Sequence, residues 1–290
     1  MSYYRALGFE REPFSTSPDP EFFYSSREHD RAFTNVLIEL RLKRGLSVVL
    51  GDVGTGKTTL SRKLVQDLRK RDDCIFHIML DPSFENRSLF MHSIVKNFGI
   101  PLEAGSQGPT LTDLREATER FLFQKGVVEN KSVVLIIDEA QKLDPMSMEA
   151  LRLLLNYETN QFKLLQLVLL GQNELLTSIQ QIPNFMDRIS FKTRLNPLDL
   201  EEMKELIFFR IEQAGYRSKM DLFLQDALSE IYQFTKGYPR QVTMLCHKAL
   251  KTMLMRNKSV VDRALVNDIL EEEVQFGWQR TNRLLQNSSF

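Results

Sequence analysis

The chain has 290 residues, 42% of them hydrophobic and 26% charged, with 38 Lys and Arg against 38 Asp and Glu. At roughly 100–200 residues per domain this is one large or two smaller globular units, and the composition excludes disorder, a collagen-like chain and a coiled-coil rod. The charge balance is also local, with 13 basic and 13 acidic residues in 198–290, which does not favour a basic nucleic-acid module but leaves a local basic face open. Two cysteines, Cys74 and Cys246, show no C-x-x-C spacing. They exclude a disulfide framework or zinc cluster and fit a reducing cytoplasmic compartment, each reading as a buried thiol. Met1-Ser2-Tyr3-Tyr4-Arg5 leads into no apolar core of a secretory leader. No apolar run reaches the ~20 residues of a membrane span.

Five apolar runs read as strands: Leu46–Leu50, Cys74–Leu80, Val133–Ile137, Leu165–Leu170 and Phe191–Leu195. The first four are nearly continuous in apolar character, as strands buried on both faces of a parallel sheet are. Helical patterns lie between them. Lys57–Arg71 carries Leu60, Leu64 and Leu68 on one face, and Asn86–Phe98 stops at Gly99 with Pro101 beyond. Thr110–Lys125 follows, and then Pro145–Tyr157 with Asp144 as N-cap and Pro145 in the first helical position. Alternating strand and helix predicts a doubly wound α/β core. After Pro197 the strands stop. Asp199-Leu200-Glu201-Glu202 opens a helix that runs to Gly215, and helices follow at Leu222–Phe234, Pro239–Arg256 and from Asp262 toward Leu285, with Gln286–Phe290 as a frayed end. Three segments are expected: an aromatic and proline-rich strip with a helix packing on the base (1–44), the α/β base (45–197) and a helical unit (198–285).

The chemistry concentrates at the base. Gly51-Asp52-Val53-Gly54-Thr55-Gly56-Lys57-Thr58 matches G-x-x-x-x-G-K-[ST] in full, between a predicted strand and a predicted helix. Glycines let backbone N–H groups turn inward around an anion, and the helix N-terminus adds partial positive charge. Lys57 would reach the β- and γ-phosphates of ATP, Thr59 would complete the cradle, and the Thr58 hydroxyl would ligate Mg²⁺. A Gly-rich tight turn is the bland alternative, and motif and context together argue against it. Val133–Ile137 delivers Asp138 and Glu139 to the carboxyl end of a buried strand, where open α/β sheets place their ligands. Asp138 would hold the magnesium and Glu139 would polarise the attacking water as general base.

The fourth strand ends in Gly171-Gln172-Asn173. Asn173 is a suitable N-cap for the helix Glu174–Gln181, which leaves Gln172 to meet the γ-phosphate or the lytic water. Arg188 and Arg194 flank and end the fifth strand, and either could reach a neighbouring subunit's phosphoryl group or serve surface ion pairs. Arg240 follows Gly237-Tyr238-Pro239 in the first turn of a helix, where a cation opposes the helix dipole. That cost points to an anionic partner.

These motifs together resemble an AAA+ ATPase over residues 45–260. The resemblance implies a P-loop base with a five-stranded parallel sheet in the order 5-1-4-3-2, a C-terminal helical lid, and ATP hydrolysis at the subunit interfaces of a homo-oligomeric ring or filament. It implies that Gln172 is sensor 1, Arg188 the arginine finger and Arg240 sensor 2. A narrower resemblance rests on Tyr4-x-x-Leu7-Gly8-Phe9-x-x-x-Pro13-Phe14 and on Ser17-Pro18-Asp19-Pro20-x-Phe22-Phe23-Tyr24-x-Ser26-x-x-His29. With Asp138-Glu139-Ala140-Gln141 and Gly171-Gln172, this is similar to the ExeA-like ATPases of bacterial secretion, pilus and exopolysaccharide export systems. It implies envelope export components as partners and a cytoplasmic location, peripheral to the inner membrane through those partners. The alternatives are a transposon target-selection regulator that assembles on DNA and a nucleotide-gated scaffold without hydrolysis. Zero net charge and the aromatic strip disfavour the first of these, and intact Lys57, Asp138 and Glu139 disfavour the second. His77, His92 and His247 read as ordinary core or helix residues. Arg62-Lys63 and Arg69-Lys70-Arg71 read as a solvated helix face rather than a DNA contact.

Overall fold

The computed structural model describes residues 2–17, 19–102, 108–218 and 220–275. In chain order the first elements are α1 (Tyr3–Ala6), α2 (Arg27–Arg41), β1 (Leu46–Gly51), α3 (Lys57–Leu68), β2 (Cys74–Met79) and α4 (Arg87–Asn97). Next come α5 (Leu111–Phe123), β3 (Ser132–Ile137), α6 (Pro145–Leu154), β4 (Leu165–Gly171), α7 (Glu174–Gln180) and β5 (Ile189–Leu195). The last are α8 (Leu200–Gln213), α9 (Gln225–Thr235), α10 (Pro239–Met255) and α11 (Arg263–Gln275). The expected run of the last helix to Leu285 and the end Gln286–Phe290 lie outside the described residues.

The chain divides into two compact units, Ser25–Asn196 and a second made of residues 1–24 with 197–290. In the first, five parallel strands hydrogen-bond in the order β2-β3-β4-β1-β5, the expected 5-1-4-3-2 order. One face of the sheet carries Val48, Leu50, Leu135, Ile137, Leu167 and Leu169. It meets α4, α5 and α6 through Phe90, Ile94, Leu114, Met148 and Leu151. The alternate residues Val49, Val134, Ile136 and Val168 are equally buried, and α2 and α3 contact the interior strand β1. β1, β3 and β4 are therefore buried on both faces, as their sequences predict. β2 is not. It is an edge strand, and all its residues but Met79 are half-buried. Cys74 is correspondingly half-buried rather than buried, and His77 meets Phe98 edge-on at the rim of the core. The other edge, β5, alternates and turns Ser190, Lys192 and Arg194 outward. Charge on an edge strand discourages pairing with another chain.

The aromatic strip departs from expectation. It belongs to the helical unit rather than to the base. Phe9, Phe14 and Phe22 are buried with Met203, Ile207, Phe223, Leu228, Ile231, Leu245 and Ala249. The physical reason is twofold. The rings fill apolar space between helices, and the strip's backbone finds fixed partners there. The Arg210 guanidinium donates to the carbonyls of Pro13 and Ser15 at 2.8 Å each and lies over the Phe22 ring. The amides of Glu10 and Arg11 donate to the Ala214 carbonyl at the end of α8. Of the expected segment 1–44, only the part from Ser25 onward, which includes α2, folds with the base. Asp199 and Glu202 form the expected capping box of α8, and Asp144 caps α6 through the amides of Met146 and Ser147.

Candidate nucleotide site

The site is built at the carboxyl edge of the sheet. β1 ends at Gly51 and α3 begins at Lys57, so residues 52–56 form a loop over the helix N-terminus. Gly54 and Gly56 both have positive φ, 86° and 99°. The first-turn amides of Lys57, Thr58 and Thr59 have no acceptor within their own helix. This is the backbone geometry that an anion cradle requires. Lys57 is buried, and its Nζ donates to the carbonyls of Gly51 and Asp52 at 2.7 and 2.9 Å. Burial lowers the lysine's pKa, and the surrounding carboxylates of Glu139, Asp138, Asp52 and Glu174 oppose that shift.

Asp138, at the tip of β3, is 2% exposed. One carboxylate oxygen accepts from the Ser61 hydroxyl at 3.2 Å, and the other accepts from the Glu139 amide at 2.9 Å. Burial raises its pKa, and hydrogen bonds from Thr58, the Glu139 amide and Ser61 act in the opposite direction. A buried carboxylate beside two hydroxyls is an all-oxygen donor set. It fits a hard divalent cation that takes few protein ligands and keeps its waters and phosphate oxygens. Among the described residues there is no larger group of His, Cys, Asp and Glu able to hold a metal.

Glu139 follows in the left-handed region, at φ 52°. A non-glycine residue there is held by its surroundings and turns sharply off the strand. Its carboxylate accepts from Gln141 Nε2 at 2.8 Å, and Gln141 Oε1 accepts from the Gln172 amide at 3.1 Å. Gln141 therefore bridges the tips of β3 and β4. Gly171 makes room for it, because a Cβ there would lie 3.1 Å from Gln141 Oε1.

Asn173 was expected to cap α7, and it does not. It makes no side-chain cap bond; its amide instead donates to Asp52 of the P-loop at 2.8 Å. Of the two residues at this strand tip, Asn173 reaches the P-loop through its side chain, while the Gln172 backbone amide meets Gln141 instead. The competing attraction is the Asp52 carboxylate, which outweighs a neutral cap. Arg188 ends a single 3₁₀ turn before β5, and its Nε is buried without a hydrogen-bond partner. Glu149 lies within electrostatic reach, its carboxyl held low by Arg152 first and then by Arg87 and Arg188. Arg194 is exposed on β5, and Arg240 is exposed in the first turn of α10, within the helical unit.

Sequence reasoning missed three residues. Ser61 lies one turn beyond Lys57 and Thr58, a spacing that puts it on their helix face. Gln141 and His29 stand in the sequence only as members of motifs, with no role of their own. His29 contacts the loop from α2 through the Thr55 carbonyl, at 2.8 Å.

Sheet order, P-loop and the carboxylate pair define a P-loop NTPase of the AAA+ class. The AAA domain family matches residues 40–179. The ORC2 protein of Aeropyrum pernix, solved as ADPNP-ADP complexes, superposes with a TM-score of 0.65 at 19% identity, covering 91% of this chain and 71% of that one. The RuvB Holliday junction branch migration motor of Thermotoga maritima gives 0.55 at 16% identity, covering 83% and 68%. The chain has the fold of the AAA+ proteins, with the AAA domain at residues 40–179. Within them it resembles General secretion pathway protein A of Aeromonas hydrophila, at 34% identity over 250 residues. That match takes in 86% of this chain and 44% of the relative, so the chain spans less than half of that protein's length. No helix among the described residues is long and apolar enough to cross a membrane.

Proposed function

We propose that the chain binds ATP with Mg²⁺ and hydrolyses it as an assembly or switch ATPase of a bacterial envelope export system. The observation that carries the reading is the buried Asp138, hydrogen-bonded to α3 and followed at once by Glu139, beside a complete P-loop. Lys57 and the loop amides bind the phosphate chain. Thr58 and Asp138 hold the magnesium, which when bound offsets phosphate charge. Glu139 takes the proton of the attacking water, and Gln141 orients its carboxylate. Gln172 and Asn173 set the γ-phosphate side of the site. Arg240 acts as the sensor of the helical unit. The export role rests on the similarity to General secretion pathway protein A.

The reading makes the roles of Lys57 and Glu139 separable. Lys57→Ala should abolish ATP binding, while Glu139→Gln should bind ATP but hydrolyse it at least ~100-fold more slowly, the general-base range. Near-normal single-turnover hydrolysis by Glu139→Gln would remove the base assignment. We place Arg188 at the neighbour's site in a homo-oligomer. A mixture of Lys57→Ala and Arg188→Ala should then recover activity that neither shows alone, and a mixture as inactive as its components rejects a trans-acting arginine. Strong stimulation by duplex DNA at low salt would favour a DNA-assembled regulator over the export role.

A further inference from the structure

His29 lies on the buried face of α2 with Ala32, Val36 and Leu40 and is 3% exposed. Its ring is held at both nitrogens. Nδ1 lies 2.7 Å from Ser26 Oγ, and Nε2 lies 2.8 Å from the Thr55 carbonyl oxygen. A carbonyl only accepts, so Nε2 carries the hydrogen. In the neutral ring Nδ1 is then the acceptor, and the Ser26 hydroxyl donates to it. The N-cap residue of α2 thus selects the tautomer that can grip the loop.

The gripped carbonyl belongs to the Thr55–Gly56 peptide. That unit is planar and trans, so its C=O and the Gly56 N–H point in opposite directions. With the carbonyl turned to His29, the Gly56 amide is turned away from it, to the side where an anion would meet the loop. Flipped, the same peptide would present a carbonyl oxygen to phosphate. On the Gly56 side the flip meets little resistance, because glycine is at home at either sign of φ. His29 and Gly56 are also matched sterically. A Cβ on Gly56 would lie 2.7 Å from His29 Nε2.

We propose that His29 is a positioning residue for phosphate binding: its Nε2–H holds the Thr55 carbonyl and thereby aims the Gly56 amide at the phosphates of the nucleotide. The inference rests on the nucleotide reading above and extends the phosphate site to an element outside the P-loop motif. Ser26, through Nδ1, is the second half of the device.

The test uses the intact chain, with inorganic tripolyphosphate and Mg·ATP as separate titrants in a calorimeter. The variants are His29→Ala, His29→Gln and His29→Asn. The Gln amide nitrogen is as many bonds from Cβ as Nε2 is and can reach the Thr55 carbonyl. Asn is one bond shorter and cannot. Ala and Asn should weaken both titrants on the order of 10-fold, the loss of one phosphate-directed donor, while Gln stays within ~3-fold of the parent. KM for ATP should rise in parallel, with kcat at saturation changed much less. Equal affinities for Gln and Asn, or undiminished tripolyphosphate binding by Ala, overturn the proposal. Should Ala fail to fold, the contrast between Gln and Asn decides. A parent chain that binds neither titrant overturns the nucleotide reading, and this one with it.

Discussion

Asp138→Asn should make the ligand-free protein more stable and the ligand-bound protein less so. Asp138 is 2% exposed, and burial is the largest influence on its carboxyl group, raising its pKa above the ordinary carboxylate value. A raised folded-state pKa means that the folded protein holds the proton more tightly than the unfolded chain. The resulting stability is fully present below the unfolded pKa and is lost as pH rises through the folded pKa. Once ionised, the wild type carries a buried anion, which Asn removes while its carbonyl oxygen still accepts from the Glu139 amide and its NH2 donates to the Ser61 hydroxyl in place of the bond that Ser61 donated. Relief of a desolvated, partly hydrogen-bonded polar group is worth about 1–2 kcal/mol. In a unit of this size that corresponds to roughly 2–8 °C in melting temperature. The opposite holds with nucleotide. Mg·ATP at 100 times its Kd would stabilise the wild type by about 2.7 kcal/mol. The variant, without its magnesium ligand, should gain little. Thermal melts at pH 4 and pH 7.5, with and without Mg·ATP, give the four values needed. The ligand-free gap should shrink at the lower pH, and Mg·ATP should reverse the order at the higher one. A variant less stable than wild type without ligand at pH 7.5, or stabilised as much by Mg·ATP, refutes the reasoning.

Asn173→Ala removes the exposed 2.8 Å bond to Asp52 and should weaken ATP binding by roughly 3–10-fold, the net worth of an ordinary hydrogen bond; an unchanged Kd in calorimetric titration would show that this bond does not prepare the loop for phosphate. Gly237→Ala should destabilise the helical unit by about 3 kcal/mol or more, because φ is positive and the new Cβ would fall 1.9 Å from the Leu198 carbonyl oxygen. An unchanged urea midpoint would show that the backbone yields at this point.

The elements whose order and strand chemistry carry the nucleotide site were legible in the sequence because their signals are local. A run such as Val133–Ile137 is buried on both faces wherever it goes, and a P-loop carries its own turn chemistry. The same locality explains the errors. β2 reads like β3, and only the sheet order makes it an edge strand with half-buried residues. Asn173 satisfies every local criterion for an N-cap, yet the carboxylate it prefers, Asp52, lies 121 positions away in the chain. The aromatic strip 1–24 announces that it is buried but not against what; the answer lies in the Arg210 guanidinium and the Ala214 carbonyl, remote in sequence. His29 left a faint trace. Ser26 at the N-cap and an apolar stripe at Ala32, Val36 and Leu40 together place the histidine first on a buried helix face. A polar ring in that position must find a partner.

That partner bears on how a glycine-rich loop acquires one conformation. Gly54 and Gly56 allow the loop to wrap an anion, and the same freedom gives it many other states to lose on binding. Lys57 cannot choose among them, since its own contacts are to carbonyls of the loop. The choice comes from groups on rigid elements outside the loop. His29 on α2 fixes the carbonyl of Thr55, and Asn173 at the tip of β4 fixes the side chain of Asp52. Ser61, one turn into α3, ties the helix to Asp138 on β3. Each contact is worth only about 1 kcal/mol alone. Together they order the loop before the phosphate arrives, so that less of the binding free energy is spent on ordering it. Phosphate affinity in this chain should therefore respond to substitutions on α2 and at the β4 tip that touch no nucleotide atom.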